Sequence, residues 1–177
     1  FDHHQDSLIE PVLSIIKGSQ SFSAADYCEA EVKLMKLKQL AQKIWSSIDV
    51  LMVPTAPTHY KINEMLMNPI QLNKNLGHYT NFVNLFDYAA ISVPSEIRPD
   101  QLPFGITLIG PACSDWQLAD LGQRYHHSTG LMQGATNVPL PSPIPIAGLK
   151  PIATIQVAVV GAHLSGMPLN WQLTERK

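Results

Sequence analysis

Residues 49–57 read DVLMVPTAP, an apolar run that ends at a proline and passes into a turn. A run with so little alternation between apolar and polar side chains predicts a strand that is buried on both faces of a sheet. Residues 89–94 (AAISVP) and 104–110 (FGITLIG) have the same character. The polar segment between these two later strands is short enough for them to pair antiparallel. Because helical patterns alternate with the strands, we predict an α/β protein with a mixed sheet.

The longest predicted helix precedes the first strand. Ser23 and Asp26 form a candidate capping box at its start. Apolar residues then recur at steps of three or four: Tyr27, Ala30, Leu34, Leu37, Ala41, Ile44 and Ile48. This spacing predicts an amphipathic helix over about residues 24–48. Shorter helices are predicted on either side of Pro69, and a final helix is predicted to be capped by Ser114.

Composition excludes several classes of protein. Hydrophobic residues make up 45% of the chain and charged residues 15%, which is not the composition of a disordered protein. The net charge of −2 provides no basic excess for nucleic-acid binding. Cys28 and Cys113 are too few for a disulfide framework, and they are expected to be reduced thiols in a cytoplasmic protein. No apolar run approaches the roughly 20 residues that span a bilayer.

The chain changes character at Gly134. Five prolines follow before residue 152, four of them at alternate positions, and such a pattern favours an extended, semi-rigid polyproline II segment. We therefore predict an α/β domain over 1–133, a Pro-rich linker over 134–152 and the truncated start of a second domain over 153–177. Because the sequence does not begin with Met, we also expect it to be a piece of a longer protein.

Two residues are candidates for a functional site. Thr55 follows Pro54 at the end of the first strand, where its hydroxyl could face a crevice and bind substrate; the alternative is a turn threonine that bonds to local backbone. His163 lies in a glycine-flanked loop after a predicted strand, where an imidazole could exchange a proton near neutral pH. The alternative is that His163 only caps the end of that strand. No metal-binding or cofactor motif is present, so neither group is predicted.

Several stretches resemble the amidase-signature enzymes. Residues 49–57 are similar to a strand of that family with the pattern D-x-L-x-x-P-T-x-P, and residues 79–85, 90–94 and 102–111 resemble its closing strands in order and spacing. The residue choices are closer to the allophanate hydrolase branch. In particular, VAVVGAHLSGMPLN at 157–170 looks like the opening of the extra C-terminal domain of that branch.

This resemblance implies a fold and an activity. The fold would be an edge portion of the α/β/α amidase-signature fold with a mixed sheet, followed by the Pro-rich linker and the first strand of a second, α+β domain. The activity would be hydrolysis of allophanate to ammonia and carbon dioxide through a Ser–cis-Ser–Lys triad. No serine or lysine of this chain matches the triad motifs. The resemblance further implies a biotin-dependent urea carboxylase as a possible partner, a homodimer when full length, a cytoplasmic location and no cofactor.

Two other interpretations stay open. The chain could be a non-catalytic docking module for an amidase or a urea carboxylase, or a fragment of another amidase-signature enzyme such as a glutamine-dependent amidotransferase. The enzyme-fragment interpretation predicts exposed apolar faces on strand 50–53 and on helix 24–48, where further sequence of the domain would pack.

Overall fold

The computed structural model describes most of the chain. The described residues are 8–134, 136–146, 156–161, 164–167 and 170–174. They fall into two compact units, each with its own architecture: Phe1–Gln42 with Tyr60–Asn75, and Lys43–His59 with Leu76–Lys177. His163, one of the two predicted site residues, lies outside the described residues.

The first unit is helical. Its helices are α1 (Val12–Gly18), α2 (Ala24–Gln42), α3 (Ile62–Met67) and α4 (Pro69–Leu76), of which α4 ends one residue beyond the unit. The predicted break at Pro69 is confirmed, because this proline begins α4 directly after the residue that ends α3.

The predicted capping box of α2 is confirmed. The Ser23 backbone N–H donates to Asp26 Oδ2 at 2.8 Å, and the Asp26 N–H donates to Ser23 Oγ at 3.2 Å. The Ser23 hydroxyl also donates to the Asp26 carboxylate, at 2.7 Å. The helix is shorter than predicted, since it ends at Gln42 and a single 3-10 turn, Lys43–Ser46, follows.

The prediction of one apolar stripe on α2 is wrong. Its large exposed apolar side chains lie on several sides of the helix: Tyr27, Val32, Met35, Leu37 and Leu40. Soluble helices that are apolar on all sides are normally enclosed by other elements. None of the first unit's described residues is buried, so the predicted exposure of apolar groups on this helix is confirmed.

The second unit contains a four-stranded mixed sheet. Its strands are β1 (Val50–Pro54), β2 (Ala89–Ile97), β3 (Pro103–Gly110) and β4 (Val157–Val159), in the spatial order β2-β3-β1-β4. Strand β3 pairs antiparallel with both β2 and β1, whereas β4 pairs parallel with β1. The predicted antiparallel pair and the predicted mixed sheet are therefore both confirmed.

Helices cover the sheet on both faces. On one face α6 (Asp115–Thr129) packs through Leu118 against Val50, Ile106 and Leu108. On the other face α5 (Asn81–Leu85) and a group of aromatic side chains pack against Val53 and Ile109: Trp45, Tyr79, Phe82 and Tyr88. Neighbouring strand residues thus belong to different cores, as a doubly covered sheet requires.

Strand β1 lies inside this sheet rather than at a free surface. Val50, Met52 and Val53 are 2%, 5% and 4% exposed, so the prediction of an exposed apolar face on residues 50–53 is wrong. Strand β4 supplies the cover on one edge. Its pairing is extended by two hydrogen bonds, from Asp49 N–H to the Gln156 carbonyl at 3.1 Å and from Gln156 N–H to the Asp49 carboxylate at 3.0 Å.

Strand β4 was expected to open a second domain, and in this structure it joins the sheet of the preceding one. The Ser114 position precedes α6 as predicted, but its hydroxyl donates to the Pro111 carbonyl and does not cap the helix. Within the described residues, no helix combines the length and the apolar character needed to cross a bilayer.

Candidate functional site

Thr55 occupies the position directly after β1. Its backbone N–H donates to the Gly105 carbonyl at 3.0 Å, which continues the ladder between β1 and β3 by one bond. Its side chain is half-buried, and a hydrogen bond of 2.9 Å joins Thr55 Oγ1 to Thr107 Oγ1. The hydroxyl therefore contacts a residue 52 positions away in the sequence, rather than only the backbone of its own turn.

Thr107 links three strands through its hydroxyl. On β3 it lies opposite Ser92 of β2 and Val53 of β1. A second hydrogen bond, of 2.7 Å, joins Thr107 Oγ1 to Ser92 Oγ. Thr107 is 3% exposed, so these two bonds satisfy a hydroxyl that is withdrawn from water. Ser92, Thr107 and Thr55 thus form a chain of hydroxyl groups across the sheet, which we call the hydroxyl chain.

Gly105 makes room for the end of the hydroxyl chain. A Cβ at this position would lie 3.2 Å from Thr55 Oγ1 and 3.3 Å from the Val93 carbonyl oxygen. Both distances are tighter than ordinary carbon contacts. A side chain at residue 105 would therefore push the Thr55 hydroxyl away from Thr107.

A cavity of about 250 Å³ adjoins the hydroxyl chain. Its walls are mainly apolar, and Thr55, Ser92 and Glu96 contribute the polar side chains. The remaining lining residues are Val93, Pro94, Ile97, Pro103, Phe104, Gly105, Leu131 and Gly134. A mainly apolar wall with a few convergent polar groups is the usual character of a small-molecule site.

A second cleft, of about 270 Å³, shares Glu96 and Phe104 with this cavity. It is also lined by His59 and Arg98, and the Arg98 guanidinium lies 2.8 Å from the Asp100 carboxylate. Charged groups of both signs therefore stand beside the apolar cavity.

The site is chemically suited to binding. A hydroxyl both donates and accepts, so Thr55 and Ser92 can each bond to an amide or carboxylate group of a small ligand. The side-chain partner recorded for Thr55 is another hydroxyl, not an amine, imidazole or carboxylate that would activate a nucleophile. The described residues include no group of three or more side chains placed to hold a metal ion.

Sequence reasoning predicted Thr55 but missed Ser92, Thr107 and Glu96. Thr107 is the polar residue within the buried run Ile106–Ile109, and Ser92 is the polar residue within the second predicted strand. An isolated hydroxyl inside a buried strand was the available signal, because such a group needs a partner. The partners themselves depend on the strand register.

The family follows from a comparison with known proteins. A family model described as Amidase matches residues 4–119, more than half of the chain. The chain therefore belongs to the amidase family.

Particular relatives are similar over much or nearly all of the chain. The urea amidolyase of Saccharomyces cerevisiae is 38% identical over 177 residues, which cover 96% of this chain and 10% of that protein. A glutamyl-tRNA(Gln) amidotransferase of Acinetobacter baumannii, in one of its subunits, is 36% identical over 121 residues, which cover 65% of this chain and 24% of that polypeptide.

Solved structures agree with this picture. The Kluyveromyces lactis allophanate hydrolase matches with a TM-score of 0.67 and 40% identity over 96% of this chain. The urea amidolyase of the same organism matches with a TM-score of 0.68 and 40% identity. The chain spans 29% of the former and 11% of the latter.

Proposed function

We propose that this chain is a portion of an allophanate hydrolase, which as a whole protein hydrolyses allophanate to ammonia and carbon dioxide. In this proposal residues 1–133 are the C-terminal portion of the amidase domain, 134–152 are the linker and 153–177 begin the C-terminal domain.

One observation carries the proposal. Similarity to the urea amidolyase and to the solved allophanate hydrolase covers 96% of the chain, whereas similarity to the amidotransferase covers 65%. The amidase family match itself ends at residue 119. The segment beyond it is therefore the part that separates an allophanate hydrolase from amidases of other specificity.

In this proposal the hydroxyl chain and its cavity form part of the substrate-binding wall. Thr55 donates to or accepts from the substrate, and Thr107 holds the Thr55 hydroxyl in place from the side remote from solvent. The nucleophile and its activating groups come from sequence outside residues 1–177. Their Ser–cis-Ser–Lys chemistry is taken from the family resemblance.

The partners and location follow from the same proposal. Because the similar urea amidolyases are far longer than this chain, we expect a urea carboxylase that supplies allophanate, either fused or separate. We further propose a homodimer in the cytoplasm, and a proton-exchanging role for His163 in the C-terminal domain.

A chimera tests the proposal directly. In the Kluyveromyces lactis allophanate hydrolase, the segment matched by this chain is replaced by residues 1–177. We expect the chimera to release ammonia from allophanate, and the 177-residue chain alone to release none, because the chain brings only one wall of the site. Ammonia release is measured with allophanate and, separately, with glutamine.

Two variants of the chimera probe the binding role of Thr55. Thr55→Val removes the hydroxyl, and we expect kcat/KM for allophanate to fall by about tenfold, as for one lost hydrogen bond to substrate. Thr80→Val is the matched control, because this half-buried threonine makes no side-chain cap bond to α5. A folded chimera that acts on glutamine and not on allophanate would favour the amidotransferase interpretation. A folded chimera without activity on either would favour the docking module.

A further inference from the structure

A glutamine of α6 holds the segment that follows this helix. Gln123 Nε2 donates to the Ile144 carbonyl at 2.8 Å, and the Ile144 backbone N–H donates to Gln123 Oε1 at 3.0 Å. One side-chain amide thereby satisfies both backbone groups of a residue 21 positions away.

A second glutamine holds the same segment nearer its start. The Gln133 backbone N–H donates to the Val138 carbonyl at 2.9 Å, and Gln133 Nε2 donates to the Pro139 carbonyl at 2.8 Å. The two anchors lie at opposite ends of residues 138–146. We call these nine residues the strap.

The strap encloses a small cavity against α6. Its volume is about 190 Å³. It is lined by Gln123, His126 and His127 of the helix and by Leu140, Pro141, Ser142 and Ile144 of the strap. The neighbouring histidines thus face one cavity together, and one of them is tied to the chain after the helix by a 3.2 Å hydrogen bond between His126 Nε2 and the Met132 carbonyl.

The chemistry of the strap explains why it docks in this way. A polyproline-like chain makes no internal hydrogen bonds, and each proline lacks an N–H, so the few remaining backbone groups need external partners. A side-chain amide has the same donor and acceptor as a peptide group and can pair with an extended backbone as a neighbouring strand does. Alternating prolines also limit the conformational entropy lost when the segment becomes ordered.

We propose that the face of α6 bearing Gln123, together with Gln133, is a docking site for an extended Pro-rich peptide, and that the chain's own strap occupies it. The first half of the predicted linker is then fixed to the amidase portion rather than acting as a free spacer. Release of the strap would free about 28 Å of extended chain, at roughly 3.1 Å per residue.

The test is the backbone dynamics of the 177-residue chain, measured by NMR relaxation and amide hydrogen exchange. We expect an order parameter for Ile144 close to the rigid value of about 0.85, and protection of its amide. In Gln123→Ala we expect the Ile144 amide to exchange about tenfold faster, and its order parameter to fall below about 0.6.

The matched control is Gln117→Ala, which removes an exposed glutamine from the same helix. It should leave Ile144 unchanged, and unchanged β3 amide shifts in both variants show that the fold is intact. An Ile144 that is already flexible in the unaltered chain overturns the proposal. Equal behaviour of the two variants does so as well.

Discussion

At the scale of single residues, the hydroxyl of Thr107 is the group on which the candidate site depends. It is almost wholly buried and bonds to Ser92 on one side and to Thr55 on the other. Because a buried hydroxyl without partners is costly, these bonds hold all three side chains in one arrangement.

Replacing this hydroxyl by a methyl group should therefore lower stability. For Thr107→Val we expect the free energy of unfolding to fall by about 1–2 kcal/mol, since each hydrogen bond contributes about 0.5–1.5 kcal/mol. Urea unfolding followed by far-UV circular dichroism measures the change. Thr80→Val serves as the control and should cost less. Equal stability of Thr107→Val and the unaltered chain would show that the hydroxyl chain has no energetic weight.

Residue patterns predicted one member of this chain and missed the others for a physical reason. Thr55 follows a recognisable buried strand and a proline, so its place at a strand end could be predicted. Its contact with Thr107 depends on the register of β1 against β3, which pairs residues more than 50 positions apart. Local spacing carries no information about such a register.

At the scale of elements, the capping box of α2 predicts a pH dependence. Hydrogen bonds from the Ser23 side chain, and secondarily from its backbone N–H, hold the pKa of Asp26 below its ordinary value of 3.8. Because the pKa is lowered in the folded helix, the stabilisation is complete above the ordinary pKa and is lost as the pH falls through the folded one. We expect the first turn of α2 to loosen only below about pH 3.8.

NMR titration of the Asp26 carboxyl carbon measures this pKa. In Ser23→Ala the larger of the two causes is removed, so the pKa should rise towards 3.8. Ser21→Ala is the control, because the Ser21 hydroxyl donates to the Gly18 carbonyl and not to Asp26. An Asp26 pKa that is the same in both variants would contradict the role of the Ser23 hydroxyl.

Element boundaries were predictable where local chemistry sets them. The Ser23 cap and the start of a helix at Pro69 depend on neighbouring residues and were predicted correctly. The end of α2 at Gln42 was not, because apolar residues continue at helical spacing through Ile48 while the backbone tightens into a 3-10 turn. The pairing of β4 with β1 was also missed, since it joins segments about 107 residues apart.

At the scale of the whole molecule, burial is distributed unequally between the two units. The buried hydrophobic residues of the described chain all belong to the second unit. Helices without a buried face are marginal in water even at 19 residues, the length of α2. We therefore expect amides of α2 to exchange about 100-fold or more faster than those of Ile106–Ile109 in the isolated chain.

Hydrogen exchange with mass spectrometry measures this difference peptide by peptide. The comparison needs no variant, because β3 and α2 are read in the same sample. Equal protection of the two elements would mean that α2 is stabilised in solution by contacts that the described residues do not provide. The family could nevertheless be predicted from sequence, since strand motifs in order identify a fold even where the helices around it have no core.

The sheet order has a consequence for synthesis on the ribosome. Val53 of β1 pairs with Thr107 of β3, so 54 further residues must be added before the partner exists. At a translation rate of about 5–20 residues per second, this takes about 3–11 seconds. During that time VLMV, residues 50–53, is an apolar strand with both edges open. The nascent chain thus passes through an interval in which chaperone binding to this segment would prevent aggregation before the sheet can close.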